Sequence, residues 1–280
     1  MIERAFVALD EGQMHLRRLR PLSAQACPLI LLHASPTSSW FMQGLMQALS
    51  ETGAAREIIA PDTLGNGDSA APRPEHPDIA YFADSLRRML DSLGIGQADV
   101  YGAHTGARIA CEFAAAFPQR VRRVVLDGII EYDDATRRLV VDNYAPPVTP
   151  DDYGRHLLWA FNFVRDQALY FPYFQRDPAH RLGGAMPAAA MLHRATLDVL
   201  KALDTYSKPY IAAFEYRAYE RMPLVKAPVL LLRPESELPV LNAAIAEASA
   251  RLPDARVAVV AGTDADKSAA IAHFLDAGLT

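Results

Sequence analysis

Short apolar segments alternate with helical patterns over much of this 280-residue chain, and that alternation restricts its fold more than any other feature. The apolar segments 27–35, 56–62, 98–103 and 120–128 follow one another in the first half, with helical patterns between them. Such runs are typical of strands buried on both faces, and helical crossovers are typical of parallel sheets. We therefore predict an α/β fold, with a mostly parallel twisted sheet flanked by helices.

Segments near both ends of the chain are predicted to add strands to the same sheet. Residues 4–19 resemble an antiparallel hairpin, and two further strand patterns at 227–235 and 255–262 are each followed by a helical pattern. Residues 131–222 contain no strand-like run, so we predict a helical insertion there. Aromatic residues are frequent in this insertion: Trp159, Phe161, Phe163, Tyr170, Phe171, Tyr173 and Phe174. They are expected to line a pocket for an apolar ligand or simply to pack between helices.

Composition excludes several classes of protein. Hydrophobic residues make up 51% and charged residues 22%, as in a globular protein with a sizeable core. A net charge of −5 gives no reason to expect nucleic acid or an anionic membrane as a partner. Two cysteines form no disulfide framework or metal-ligand pattern. Without a visible signal peptide or membrane span, we expect a cytoplasmic protein with no metal and no cofactor.

The segment VYGAHTGARIA, residues 100–110, runs from a strand through a glycine-flanked turn into a helix. His104 lies between the two glycines, just before the helix, where a serine, cysteine or aspartate would ordinarily make such a turn a nucleophile site. The helix dipole disfavours a positive charge there, so we expect a neutral imidazole unless a carboxylate lies beside it. A neutral imidazole suits a general base or a nitrogen nucleophile.

Three motifs in order resemble the α/β-hydrolase fold family. LILLHASPTSSW at 29–40, IIAPDTLGNGDS at 58–69 and the glycine-flanked turn are similar to its oxyanion loop, its APD motif and its nucleophile elbow. The HASPTSS segment is most similar to that of the cap-bearing haloalkane dehalogenases and epoxide hydrolases. This resemblance implies an α/β-hydrolase core over residues 1–130 and 223–280, with residues 131–222 as a helical cap.

The resemblance breaks at the catalytic triad. His104 replaces the usual nucleophile, and the loop after the last strand lacks the family's histidine, since His273 lies inside the final helix pattern. The resemblance offers carboxylates at three places as partners for His104. Glu237 matches one position where the family keeps its acid, and Asp127 falls about one position short of the other. Asp264 or Asp266 lies where the family's histidine is missing. Asp127 is alternatively a capping or surface residue, and Asp264 part of a solvated turn with Asp266 as N-cap.

The positions that would stabilise an anion agree with the family pattern better than the triad positions do. The family's oxyanion donors are backbone N–H groups at the positions of Ser35 and Thr105. His33 is predicted to brace that loop, and Trp40, which ends the same motif, is grouped with them as a substrate-binding residue.

The sequence thus predicts a hydrolase acting on a small, largely apolar substrate between core and cap, with His104 as base or nucleophile. Two alternatives stay open: a non-catalytic ligand-binding or scaffold member with His104 as a passive residue, or a lyase or cofactor-independent oxygenase. The expected partner is a small molecule, with a homodimer also open, and neither nucleic acid nor membrane is expected.

Overall fold

A computed structural model describes residues 1–24 and 26–277 of the chain. Its sheet has eight strands: β1 Glu3–Leu9, β2 Gly12–Leu19, β3 Leu29–Leu32, β4 Ile58–Pro61, β5 Ala98–Ala103, β6 Val121–Asp127, β7 Val229–Pro234 and β8 Ala255–Val260. The spatial order is β1-β2-β4-β3-β5-β6-β7-β8, with β2 antiparallel to its two neighbours and all other pairs parallel. The predicted hairpin and mostly parallel sheet are confirmed.

Ten α-helices accompany the sheet within the described residues: α1 Gln43–Ser50, α2 Ile79–Ser92, α3 Thr105–Ala116, α4 Asp134–Asn143, α5 Arg155–Leu169, α6 Ala189–Lys201, α7 Ser207–Glu215, α8 Ala218–Arg221, α9 Pro239–Arg251 and α10 Asp264–Asp276. Short 3-10 turns cover Ser39–Met42, Pro118–Arg120, Pro178–His180 and Met222–Leu224. None of the described helices is long and apolar enough to span a membrane.

The sheet is buried between two helical layers. On one face, Phe82 of α2 and Phe113 of α3 pack against alternate residues of the central strands, such as Val100. On the other face, Met46 of α1 and Phe274 of α10 do the same. Burial on both faces explains why the central strands are continuous apolar runs.

The segment between β6 and β7 is helical in the structure, from α4 to α8. Its one strand-like feature among the described residues is an isolated bridge between Tyr170 and Arg181. Aromatic side chains from this segment form a third cluster with residues that follow β6 and with α9. Within it, Phe163 and Tyr173 are buried, whereas Phe161 is exposed. Packing therefore accounts for part of the predicted aromatic group, and Phe171 lines a cavity described below.

The parallel strands all end at one edge of the sheet, and the loops that leave this edge carry most of the predicted site residues. Ser35 follows β3, His104 follows β5, Asp127 ends β6 and Glu237 follows β7. In open α/β sheets, ligands bind outside these carboxyl ends.

Candidate active site

The turn after β5 holds His104 in a strained backbone conformation, with φ of 49° and ψ of −104°. Among the described non-glycine residues, this is the only positive φ in the left-handed range. The two flanking glycines are required by close packing, because a Cβ at Gly102 would collide with the backbone of Gly106, and one at Gly106 with the backbone of Leu32. The turn thus presents the His104 side chain, 41% exposed, at the N-terminus of α3.

Glu237 is the carboxylate beside the His104 ring. The Nε2 atom of His104 lies 3.2 Å from Oε2 of Glu237, whose side chain is 12% exposed. The other oxygen, Oε1, accepts a hydrogen bond of 2.8 Å from the N–H of Leu238 just before α9. Burial alone would raise the pKa of Glu237, but the contact with His104 and this N–H lower it overall. The ring itself lies against Gly128, where a side chain would leave it little room.

Asp127 is close to His104 in the backbone but not in its side chain. The N–H of His104 donates to the Asp127 carbonyl at 2.8 Å. The carboxylate instead points to the face of the sheet covered by α10, where it accepts from the Tyr101 hydroxyl and from Nζ of Lys267, both at 2.7 Å. The structure therefore does not bring this predicted catalytic carboxylate to His104.

Lys267 is a charged residue that the sequence analysis missed. It lies in the first turn of α10 and forms a largely buried ion pair with Asp127. Burial, followed by the charge of Asp127, raises the pKa of Tyr101 well above its ordinary value. The signal was present in the sequence as a lysine just after the last strand, near the position where the resemblance places a histidine.

Asp264 begins α10 and packs against Gly44 of α1, so it also does not reach His104. The predicted N-cap is corrected as well. Thr263 is the N-cap of α10, and Asp266 completes a reciprocal capping box with it from the third helical position. The two partners are three positions apart, which is the usual capping-box spacing.

Ser35 and Thr105 both line the space above His104. Thr105 is the first residue of α3, so its N–H has no partner inside the helix. His33 does not line this space. Its Nδ1 donates to the Ala34 carbonyl at 2.8 Å, while Nε2 accepts from the N–H of Thr63 at 2.9 Å, which links two loops.

Trp40 also lies outside the lining of this space. Its ring packs edge-on to Phe41, and the guanidinium of Arg194 in α6 stacks over it at 5.1 Å. The predicted substrate-binding role is therefore not supported by its position, which joins the motif after β3 to the helical segment.

A cavity of about 350 Å³ lies between the turn at His104 and the helical segment. Its lining is mostly aromatic and aliphatic, with a few polar groups: Ala34, Ser35, Pro36, Thr37, His104, Thr105, Arg108, Tyr132, Tyr144, Gln167, Phe171, Tyr210, Ala213, Phe214, Glu237, Leu238 and Leu241. Such a volume suits a small ligand, and apolar walls with few convergent polar groups are typical of binding sites.

Away from the cavity, one histidine and two aspartates form a cluster of residue types that bind cations. His15, Asp62 and Asp68 place their ligand atoms close together. However, Asp62 already accepts from the His15 ring at 2.9 Å and from the N–H groups of Ser39 and Asp68, both at 2.8 Å. Asp68 is paired with basic side chains at 2.5 Å. The donors of the protein itself thus neutralise this cluster.

Comparison with known proteins agrees with this architecture. Residues 28–264 match a family model described as alpha/beta hydrolase fold. Over 103 residues the chain is 31% identical to a 2-hydroxy-6-oxo-2,4-heptadienoate hydrolase of Pseudomonas putida, a match that covers 37% of each chain. It is 35% identical over 106 residues to a 2-hydroxymuconate semialdehyde hydrolase of a Pseudomonas species, covering 38% of each. The match thus spans less than two fifths of these relatives' length.

Solved structures resemble the chain over almost its whole length. Epoxide hydrolase A from Mycobacterium thermoresistibile matches with a TM-score of 0.73 and 20% identity, covering 98% of each chain. The enol-lactonase from Burkholderia xenovorans matches with a TM-score of 0.65 and 18% identity, again covering 98% of each. At this identity the likeness concerns the fold.

Proposed function

The chain belongs to the α/β-hydrolase fold family, and on that premise we propose that it is a hydrolase of a small, largely apolar substrate, with His104 as its base or nucleophile. We also propose that residues 131–222 act as the cap over a core of residues 1–130 and 223–280. The relatives named above as hydrolases support the general reaction class.

One observation carries the proposal: an imidazole at the tip of the strained turn faces an open cavity while a carboxylate holds its ring. Backbone strain of the kind seen at His104 is concentrated at functional sites, and the Glu237 carboxylate lies 3.2 Å from the imidazole. The cavity above them is roomy and not filled by side chains.

In the base mechanism, His104 accepts a proton from a water molecule that attacks a carbonyl carbon of the substrate. The N–H groups of Thr105 and Ser35 stabilise the oxyanion that forms. Ionised Glu237 stabilises the imidazolium, which then returns the proton to the leaving group. In the nucleophile mechanism, a ring nitrogen attacks the carbonyl carbon, the bond to the leaving group breaks and the leaving group takes up the ring proton, which gives an acyl-imidazole that water hydrolyses to the acid and free histidine. Mass spectrometry of the quenched enzyme separates the two, because only the second adds an acyl group to the peptide with His104.

The direct test is turnover of an ester, a lactone and a β-diketone by wild type and His104→Ala. General base catalysis contributes about 100- to 10,000-fold, so we expect His104→Ala to lose at least about 100-fold in kcat. His273→Ala is the matched control, since His273 is exposed on α10 and does not line the cavity. It is expected to keep the wild-type rate.

Equal rates for wild type and His104→Ala would contradict the catalytic role. The open cavity together with the missing last-loop histidine would then favour the second candidate function, a ligand-binding member without catalysis. A lyase or oxygenase reaction would be indicated by products other than those of hydrolysis.

A further inference from the structure

Arg108 lies on α3 one turn after His104 and is buried, with 4% exposure. Its Nη1 donates to the carbonyl of His104 at 3.1 Å and its Nη2 to the carbonyl of Ile130 at 2.9 Å. Its Nε, also buried, has no hydrogen-bond partner. Two carbonyls thus satisfy part of the guanidinium, while its positive charge faces no carboxylate within 4 Å among the described residues.

Other buried arginines of this protein are neutralised. Arg56, 7% exposed, pairs with Asp99 and Asp276. Arg137, 8% exposed, pairs with Asp134 at 2.6 Å. Removing a charge from water is strongly unfavourable unless a partner offsets it. Arg108 is therefore an exception within its own fold, and an anion from outside the chain would complete its surroundings.

The surroundings of Arg108 indicate where such an anion would bind. Arg108 lines the same cavity as His104, and two further buried polar atoms without a partner belong to residues of that lining, Oγ of Ser35 and Nε2 of Gln167. The only carboxylate in the lining, that of Glu237, already contacts His104 and the N–H of Leu238. Three residues that each carry a buried polar atom without a partner thus line one cavity, whose other walls are mostly aromatic and aliphatic.

We propose that the cavity recognises a carboxylate on its substrate through Arg108, with Ser35 and Gln167 as hydrogen-bonding partners and the aromatic walls around an apolar body. Guanidinium groups bind carboxylates strongly because their N–H donors match the two oxygens. The inference rests on the proposed function for the identity of the site, but its test measures binding and not turnover.

Benzoate and its neutral isostere benzamide are suitable probes, because both place a polar group on an aromatic ring that fits within about 350 Å³. Titration calorimetry on the wild-type protein is expected to show benzoate binding at least about tenfold more tightly than benzamide. Equal affinities would overturn the proposal, and this comparison needs no variant.

Variants identify the residue responsible. Arg108→Met is expected to abolish the preference for benzoate, and Arg108→Lys is expected to retain part of it. Arg138→Met removes an exposed arginine of α4 and is expected to leave the preference unchanged. Because Arg108 also holds the carbonyl of His104, circular dichroism must first confirm folding. Gln167→Leu disturbs the turn less and is expected to weaken benzoate binding several-fold. A folded Arg108→Met protein that still prefers benzoate would refute the assignment.

His104→Ala separates this inference from the proposed function. It is expected to keep the preference for benzoate while losing turnover. If wild type and His104→Ala turn over substrates equally but both prefer benzoate, the catalytic proposal fails and the carboxylate site stands. If turnover depends on His104 but benzoate and benzamide bind equally, the reverse holds.

Discussion

The ends of β6 and β7 each supply an acidic residue to the same edge of the sheet, yet the two lie in different surroundings. Asp127, 1% exposed, is fixed by Tyr101 and Lys267 on the face covered by α10. Glu237 lies past the end of its strand, contacts His104 and lines the cavity. One carboxylate joins a strand to a helix layer, whereas the other faces the space where a ligand would bind.

The difference follows from strand geometry. Side chains alternate between the two faces of a strand, and Tyr101 pairs in register with Val125, so Asp127 shares their face of the sheet. Its carboxylate is therefore directed into the helix layer, although its carbonyl bonds to His104. Glu237 has left the strand and is free of this alternation. A position at a strand end thus does not by itself give a carboxylate a role in chemistry.

The largest difference that we expect between Asp127 and Glu237 is in their contribution to the stability of the fold. Asp127→Ala leaves the Lys267 ammonium and the Tyr101 hydroxyl without their partner, so we expect a loss of about 3 kcal/mol in the free energy of unfolding. Glu237→Ala leaves a histidine that is already partly hydrated, and its loss should be about 1 kcal/mol or less. Urea denaturation of both variants measures this, and equal losses would show that the two carboxylates are structurally equivalent.

The next effect is on rate. Glu237→Gln removes the charge that stabilises an imidazolium at His104, so we expect kcat to fall about 100-fold with little change in the urea midpoint. Asp127→Asn is the matched control, because it changes a carboxylate to an amide one strand away. Measured per folded molecule, it is expected to keep most of the wild-type rate. A larger loss in Asp127→Asn than in Glu237→Gln would reverse the assignment.

The smallest expected effect is on the pH dependence of stability. The pKa of Glu237 is lowered in the folded protein from its ordinary value of 4.5. Its ionised form therefore contributes stability above pH 4.5, and the contribution is lost as the pH falls through the folded value. At pH 6 the free energy of unfolding of wild type should exceed that of Glu237→Gln by less than about 1 kcal/mol, and the difference should vanish as the pH falls through the folded pKa of Glu237. A difference that grows on acidification would contradict the lowered pKa.

Much of the fold could be predicted because it depends on local patterns. Each predicted strand of the sheet is present, and the apolar residues of α2, such as Phe82 and Met89, are buried on one side. The strained turn at His104 was also predictable, since two glycines at fixed spacing permit the close contacts that the turn requires. Periodicity and glycine placement are properties of neighbouring residues, so they can be read without coordinates.

The partner of His104 could not be chosen in this way. Glu237, Asp127 and Asp264 were all reasonable from their places near strand ends, and only register and side-chain direction distinguish them. Lys267 was overlooked because its contact with Asp127 joins residues 140 positions apart. The surroundings of Arg108 could not be read from the sequence either, because its lack of a carboxylate partner among the described residues depends on the groups that folding brings near it.

The sequence by itself determined a parallel sheet with flanking helices, a helical segment between β6 and β7, and a histidine displayed at the turn after β5. Only the tertiary structure decided that Glu237 contacts that histidine, that Asp127 belongs to the helix layer and that a buried arginine borders the cavity. The physical reason is range. Backbone conformation is set largely by nearby residues, whereas the electrostatic surroundings of a side chain depend on groups that folding brings from distant parts of the chain.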